Sequence, residues 1–179
     1  MSGSVDLLQI AIPTLRTPRL ELVPIAAAHH DAYAAMYGDP DVMRHIGTPL
    51  DRGGAWQVMA RLAGQWILRG CGGWSVRRRG SDEVIGTTGI QYPVGRPDME
   101  IGWAFRADSW GQGYAGEAAA AALAYAFEHT AAPRIIARIA PGNAGSIALA
   151  LKLGMVAAPE LSIDEDAAFV AQRSGREAR

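Results

Sequence analysis

The most constraining feature of this sequence is a glycine-rich turn that leads directly into a long alanine-rich segment. Gly111, Gly113 and Gly116 form a G-x-G-x-x-G pattern within "WGQGYAGEA", and the segment behind it continues until Pro133. Glycines allow a backbone to approach an anion closely, and the free N–H groups at a helix N-terminus attract negative charge. The pattern therefore predicts a diphosphate-binding turn at the start of the longest helix.

The same glycine pattern occurs in dinucleotide-binding turns, but the rest of the chain does not match a Rossmann domain. Such a domain carries an acidic residue about 20 positions after the glycines and alternates strands with helices. No acidic residue lies between Glu128 and Glu160, and three consecutive strand-like segments precede the turn. Arg134 or Arg138 could still face the phosphate of NADP, which leaves an NADP oxidoreductase as an alternative. A P-loop is excluded because no Gly-Lys-Ser/Thr follows the glycines.

Length and charge narrow the class of protein further. The chain has 179 residues, 49% of them apolar, which is enough for one substantial core and too few for two ordinary domains. Seventeen Lys and Arg balance eighteen Asp and Glu, so no basic field favours a nucleic-acid partner. A single cysteine excludes internal disulfides and cysteine-rich metal sites, and no apolar run is long enough to span a membrane. We expect one cytoplasmic domain over residues 1–179, with a flexible N-terminus over residues 1–14 and no metal.

Hydrophobic periodicity predicts a chain that mixes strands and helices. "RLELVP" alternates like a half-buried strand, two strands flank a polar turn at 79–82, and further strands are expected over "MEIGWAF", "RIIARIA" and "AAFVAQR". Helices are expected over 25–37, after Asp39 as an N-cap, over 53–69, from the glycine turn to Pro133, and after Asn143 as an N-cap. The predicted apolar face of the helix over 53–69 consists of Trp56, Met59, Leu62, Ala63 and Trp66. The predicted apolar face of the helix after Asn143 consists of Ile147, Ala150 and Leu151.

Several phrases, taken in order, resemble the GNAT superfamily of acyl-CoA-dependent N-acyltransferases. The glycine turn resembles that superfamily's pyrophosphate loop, Arg/Gln-x-x-Gly-x-Gly/Ala, with Trp110 in place of the leading Arg or Gln. This departure is typical of the branch that contains the ribosomal-protein alanine/serine N-acetyltransferases. The same branch has counterparts of "TPRLEL", "DPDV", "IGTTG", "EIGW", "NAGS" and "KLGM", all present here in order. The resemblance covers residues 15–155.

The resemblance implies an α+β fold with a mixed, mostly antiparallel central sheet, whose fourth and fifth strands splay apart, flanked by helices. Acetyl-CoA, the acyl-donor co-substrate, would lie in the V between those strands. The backbone of Trp103, Ala104 and Phe105 would pair with the pantetheine arm, and the Phe105 N–H would polarise the thioester carbonyl. The other implied cofactor-binding residues are Gly111, Gln112, Gly113, Tyr114 and Ala115 at the pyrophosphate, and Asn143 and Ser146 beside the arm.

The resemblance also suggests which residues act in catalysis. Direct attack needs an unprotonated amine, and Glu100 in "EIGW" is the candidate base, acting through water; a purely structural or substrate-orienting carboxylate is the alternative. Ala150 stands where many members carry the tyrosine that protonates the leaving thiolate, which leaves Ser146 or solvent as the proton source. Cys71 is expected to be a packing residue and not an acyl carrier. Four histidines belong to no motif and are expected at the surface or at helix ends: His29, His30, His45 and His129.

The sequence thus predicts a single acetyl-CoA-dependent N-acetyltransferase domain that acts on a primary amine through a ternary complex. Its acceptor is left open, since a protein N-terminus, an amino sugar, a polyamine and an antibiotic are all compatible. An alternative from another class is a non-catalytic acyl-CoA-binding module, which the missing tyrosine at position 150 motivates. We expect no nucleic-acid or membrane partner, and either a monomer or a homodimer formed through an exposed sheet edge.

Overall fold

The computed structural model describes residues 10–173 and contains one eight-stranded sheet. Neighbouring strands lie in the order β1-β2-β3-β4-β5-β6-β8-β7, and only β5 and β6 are parallel to each other. The α+β class and the mostly antiparallel sheet are therefore confirmed. The strands are β1 (Leu15–Arg16), β2 (Leu20–Pro24), β3 (Gly73–Arg78), β4 (Val84–Gln91), β5 (Met99–Phe105), β6 (Arg134–Ile139), β7 (Val156–Ala157) and β8 (Ala167–Gln172).

Helices cover both faces of this sheet. Ala104 and Phe105 are neighbours on β5 but belong to two different buried clusters, and successive strand residues point to opposite faces. One cluster is formed with α1, α2 and most of α3, and the other with α4 and α5. None of the helices in the described part of the chain has the length and apolar character needed to cross a membrane. The helices are α1 (His30–Gly38), α2 (Pro40–Met43), α3 (Arg52–Arg69), α4 (Tyr114–His129) and α5 (Ala144–Lys152).

Local sequence signals explain where several helices begin and end. The Asp39 side chain accepts a hydrogen bond from the Asp41 N–H at 2.8 Å, with proline at the first position of α2. Asn143 Oδ1 accepts from the Ser146 N–H at 3.1 Å and so caps α5. Gly70 ends α3 in the left-handed conformation. Both predicted N-caps are thus confirmed.

Two predicted apolar helix faces are partly wrong. Trp56 is 47% exposed and packs edge-to-face on His30, while Ala55 is fully buried in its place. Adjacent helix residues point about 100° apart, so the buried face of α3 passes through Ala55, Met59, Leu62 and Trp66, at spacings of four, three and four. Leu151 on α5 is likewise 55% exposed. On that helix Ala150 is the residue that is buried.

The sheet opens between its two parallel strands. β5 and β6 pair only at Met99–Ile135 and Glu100–Ile136, so the last five residues of β5 diverge from β6. These are the strands that the resemblance numbers four and five, because the two-residue β1 precedes the first predicted strand. The predicted splay is confirmed, and it leaves the backbone of β5 unpaired on one side.

The described start of the chain is attached to the sheet. Ile12 packs against the larger core cluster, and the Pro13 carbonyl accepts a hydrogen bond from Trp74 Nε1 at 2.8 Å. Residues 1–9 of the segment predicted to be flexible lie outside the described residues.

Candidate active site

The gap between β5 and β6 contains a cavity, which we call the V-cavity. Its volume is about 100 Å³. His45 and Ile46 from the loop after α2 form part of its rim, and Asn143 and Ser146 at the start of α5 form another part. Its two walls are residues 101–103 of β5 and residues 137–140 from β6 and the turn that follows. The splayed strands and the first turn of α5 thus enclose one site.

The β5 wall presents alternate backbone groups to this cavity. The Arg106 N–H donates to the Ile85 carbonyl of β4 at 3.0 Å. In an antiparallel ladder every second residue bonds to the same neighbour, so the Ala104 N–H points to β4. The N–H groups of Trp103 and Phe105 then point to the opposite side, toward the V. Of the three residues predicted to pair with a pantetheine arm, Trp103 and Phe105 therefore have suitable backbone directions, whereas Ala104 pairs with β4.

The glycine turn has the backbone shape that an anion site needs. Gly111 and Gly113 have φ of 73° and 78°, in the left-handed region that favours glycine. Gly113 is the N-cap of α4, so the first N–H groups of this 16-residue helix, including those of Tyr114 and Ala115, open toward the turn. A Cβ atom placed at position 111 would meet no other atom within 4 Å, so the space beside the turn is open there. The arrangement fits a diphosphate group.

A partly buried carboxylate fastens this turn to the segment between β1 and β2. Glu117 on the first turn of α4 accepts hydrogen bonds from Thr17 Oγ1 at 2.5 Å, from the Arg19 N–H at 2.9 Å and from Arg19 Nε at 2.6 Å. Arg19 also donates to the Gln112 carbonyl at 2.9 Å, and its guanidinium lies 4.8 Å from the centre of the Tyr114 ring. We call Thr17, Arg19 and Glu117 the turn clamp.

The protonation behaviour of Glu117 reflects these contacts. Burial acts to raise its pKa, but the hydrogen bonds from Thr17 and Arg19 outweigh burial and leave the pKa of Glu117 lowered. The helix dipole alone would favour an acidic residue at position 117, and no sequence motif predicts its contacts with Thr17 and Arg19. The "TPRLEL" phrase and the glycine turn are therefore physically joined.

Three predicted site residues meet at the start of α5. Trp103 Nε1 donates to Ser146 Oγ at 3.2 Å, and Asn143 accepts from the Ser146 backbone. All three residues line the V-cavity. Because Ser146 Oγ accepts a hydrogen bond from the indole, its own O–H proton remains available to another acceptor.

The predicted base lies in a different environment. Glu100 Oε1 accepts from Arg96 at 2.9 Å and from Arg138 Nε at 2.8 Å, and its side chain is 18% exposed. Glu100 does not line the V-cavity, whereas Arg138 does. His45, expected at the surface or at a helix end, lies on the rim of this cavity. The structure thus offers two titratable groups near the site, one held by arginines and one at the cavity.

A second cavity lies on the other side of β5, against α1–α3, and we call it the helix-side cavity. Its volume is about 210 Å³. Ile46, Gly102 and Trp103 line both cavities, so the two meet at the middle of β5. The apolar and aromatic side chains that helices and loops contribute are Tyr37, Met43, Leu50, Val58 and Leu62.

Cys71 lies in the protein core and lines neither cavity. Cys71 is 2% exposed in the larger core cluster, and burial raises the pKa of its thiol. Within residues 10–173, no three His, Cys, Asp or Glu side chains are grouped so that they could hold a metal ion.

Most of this sequence matches one known protein family. The model of the acetyltransferase (GNAT) domain matches residues 19–156. The chain is a member of the GNAT family. It carries out acetyl-CoA-dependent acetyl transfer. The NADP alternative is not supported, because β5 and β6, joined through α4, are the one parallel pair among the described strands of this sheet, whereas a Rossmann domain repeats such units.

Individual relatives agree with this membership. The chain is 32% identical over 141 residues to the uncharacterized N-acetyltransferase p20 of Bacillus licheniformis, covering 76% of this chain and 78% of p20. It is 32% identical over 164 residues to the FsC-acetyl coenzyme A-N(2)-transacetylase of Aspergillus fumigatus, covering 81% of this chain and 66% of that protein. The crystal structure of an acetyltransferase from Agrobacterium tumefaciens superposes with a TM-score of 0.84 at 32% identity, covering 94% and 99% of the two chains.

Proposed function

We propose that this GNAT protein acetylates a primary amine by direct attack on the thioester while both substrates are bound. The observation that supports this proposal is the meeting of the V-cavity and the helix-side cavity at Gly102 and Trp103. An amine in one cavity would reach an acetyl group in the other without a covalent enzyme intermediate. The new N–C bond forms as the C–S bond breaks, and CoA leaves as the thiol once the thiolate takes up a proton.

The donor is held by backbone groups more than by side chains. We assign the diphosphate to the turn formed by Gly111, Gln112 and Gly113 and to the first N–H groups of α4. The backbone of Trp103 and Phe105 would pair with the pantetheine arm. The Phe105 N–H would stabilise the developing oxyanion, and one such donor contributes roughly 3 kcal/mol to transition-state binding.

Two groups are candidates for removing the amine proton. Glu100 acts through water in our proposal, with Arg96 and Arg138 fixing its orientation through Oε1. His45 is the competing candidate because it lines the V-cavity directly. The two assignments differ in an experiment on the pH dependence of the rate, described in the Discussion.

Ser146 is our candidate for protonating the leaving thiolate. Trp103 Nε1 holds its oxygen, which leaves the O–H free to point to the sulfur. A thiolate with a pKa of about 8.5 is already a fair leaving group, so Ser146→Ala should slow the reaction only about tenfold or less. If Ser146 is the acid, the rate loss in Ser146→Ala should be greater at high pH, where solvent protons are scarce, than at low pH. A loss in acetyl-CoA affinity alone would show that Ser146 only binds the donor.

Initial-rate kinetics test the ternary mechanism. Rates measured over a grid of acetyl-CoA and amine concentrations should give intersecting double-reciprocal lines, and Cys71→Ser should retain the wild-type rate. Parallel lines, which indicate a ping-pong mechanism, together with loss of activity in Cys71→Ser would contradict direct transfer. Saturable acetyl-CoA binding without turnover on any amine would favour a non-catalytic binding module instead.

We also propose that the protein works in the cytoplasm, without a nucleic-acid or membrane partner. The balanced charge of the chain supports this assignment. Both edge strands of the sheet, β1 and β7, have only two residues, which favours a monomer over a dimer joined edge to edge. Light scattering on the protein as it elutes from a size-exclusion column would give its molar mass. The mass of a dimer would contradict the monomer assignment.

A further inference from the structure

The helix-side cavity has a size that limits what it can hold. Its volume of about 210 Å³ equals roughly seven water molecules at about 30 Å³ each. Its helix-facing wall is largely apolar and includes Met43, Val58 and Leu62, and residues of β4 and β5 form the opposite wall. A compact occupant with an apolar body fits this space, whereas a folded protein surface or a long polymer does not.

Most polar side chains in the lining are already engaged by the protein. Thr87 donates to the Trp74 carbonyl at 2.8 Å, and Thr88 donates to the Gly102 carbonyl at 2.9 Å. Gln91 accepts a hydrogen bond from Arg61. These contacts leave Tyr37, the Gln91 amide N–H groups and the remaining N–H groups of Arg61 as side-chain donors available to an occupant.

Tyr37 carries a hydroxyl that the protein does not use. The residue is 7% exposed, and its hydroxyl has no hydrogen-bond partner among residues 10–173. Every fully sealed side-chain N or O atom in this part of the chain does have a partner, so the Tyr37 hydroxyl must open onto the cavity that the residue lines. The neighbouring Tyr33 differs, because its hydroxyl bonds to Ser75 at 3.2 Å. Burial keeps Tyr37 protonated by raising its pKa, so it can donate a hydrogen bond.

Arg61 is the one charged residue in the described lining of this cavity, and no carboxylate lines it. Its positive charge acts on the Tyr37 hydroxyl, opposing the effect of burial on the pKa of that group. Arg61 and Tyr37 line the same cavity. A polyamine would meet an uncompensated cation here, whereas a carboxylate would meet two donors.

We propose that the acceptor is a small apolar amino acid, whose carboxylate binds Arg61 and Tyr37 while its amine reaches the junction of the two cavities. This assignment rests on the proposed function and narrows its acceptor class. The apolar side chain of the acceptor would fill the space between α1 and α3. A charge-assisted hydrogen bond to a carboxylate is stronger than a neutral one, and the exposure of Arg61 to solvent reduces its contribution.

The test compares amino acids with their uncharged analogues. Purified full-length protein is given saturating acetyl-CoA with L-leucine, L-methionine or L-phenylalanine, with the matching carboxamides, or with spermidine. Thiol release and product mass are followed. The proposal expects kcat/KM about tenfold or more higher for the carboxylates than for the carboxamides. Arg61→Gln should remove this preference and leave the KM for acetyl-CoA unchanged, and Tyr37→Phe should weaken the carboxylates severalfold. Arg69→Gln on the same helix, which stacks on Tyr92 outside the cavity, is the matched control.

The outcomes of this experiment distinguish failure of the amino-acid assignment from failure of the acetyltransferase function. Equal rates for carboxylates and carboxamides, or a preference for spermidine, overturns the amino-acid assignment while the acetyltransferase function stands. Acetyl-CoA binding with no acetylation of any tested amine overturns the amino-acid assignment as well. Absence of acetyl-CoA binding removes the proposed function, and this inference with it.

Discussion

The turn clamp gives the sharpest prediction about donor binding. Glu117→Gln keeps the size of the side chain but removes the charge that accepts hydrogen bonds from Thr17 Oγ1, the Arg19 N–H and Arg19 Nε at 2.5, 2.9 and 2.6 Å. Hydrogen bonds to a charged group contribute about 1.5–3 kcal/mol, and the 48% exposure of the Arg19 side chain reduces this to about 1–2 kcal/mol. The clamp holds the glycine turn in its binding conformation. Without the clamp, acetyl-CoA must order the turn when it binds, and its binding free energy is weakened by about 1–2 kcal/mol, the energy of the lost hydrogen bonds.

The expected result is a loss of about 5- to 30-fold in acetyl-CoA affinity, measured by calorimetry. The kcat/KM for S-acetyl-pantetheine, which lacks the diphosphate, should change by less than about twofold, because the clamp touches the diphosphate turn only. Combining Glu117→Gln with Arg19→Gln should be non-additive by about 1 kcal/mol, since the two residues share one contact.

Asp98→Asn provides the matched control. Asp98 forms a two-bond ion pair with Arg134 at 2.8 and 2.9 Å, of similar exposure to the clamp, at the other end of β5. This variant should lower the stability of the protein without changing the ratio of the two donors. Equal losses for acetyl-CoA and S-acetyl-pantetheine in Glu117→Gln would contradict this prediction, because they would mean that the clamp supports the fold in general.

Three further predictions concern the turn and the proton transfers. Gly113→Trp should abolish acetyl-CoA binding, because position 113 has φ of 78° and Arg19 lies 3.4 Å from a Cβ placed there. Unchanged acetyl-CoA affinity in a folded variant would contradict the diphosphate assignment. If Glu100 is the base, Glu100→Gln lowers the rate and removes the acid limb of the pH–rate profile while His45→Gln does not, and the opposite pattern assigns the role to His45. Since the folded pKa of Glu117 is lowered, its stabilisation is present above its ordinary pKa of 4.5 and is lost as pH falls through the folded pKa. Wild type should therefore lose stability below about pH 4.5 more steeply than Glu117→Gln does in acid unfolding, and parallel curves would contradict this.

Local chemistry made a large part of the fold predictable. "MEIGWAF" alternates and is bounded by turn residues, and it forms β5 with the predicted limits. Asp39 and Asn143 could be assigned as caps because their short side chains reach N–H groups two or three residues ahead. The two-residue strands β1 and β7 carry too few positions to show any periodicity. The face of α3 was misassigned by one position at Trp56, because the helix pattern alone does not say which neighbouring residue the core selects.

The site was predictable in part. Residues of the V-cavity lie in phrases that the resemblance marks, and Trp103 with Ser146 are in hydrogen-bond contact as a shared site requires. The clamp joins residues 100 positions apart, so no local pattern could indicate it. The helix-side cavity depends on how α1 and α3 pack across β4. Its donors, Tyr37 and Arg61, belong to no motif and are recognisable only from their positions in the lining of the cavity.

The glycine turn and the V between β5 and β6 together form the acyl-CoA site that we propose. Calorimetric titration of the purified protein with acetyl-CoA, with NADPH as the control, measures whether this site binds the donor. We predict saturable binding of one acetyl-CoA per chain and no heat of binding with NADPH. Binding of NADPH without binding of acetyl-CoA would contradict the assignment of the turn and of the cavity beside it.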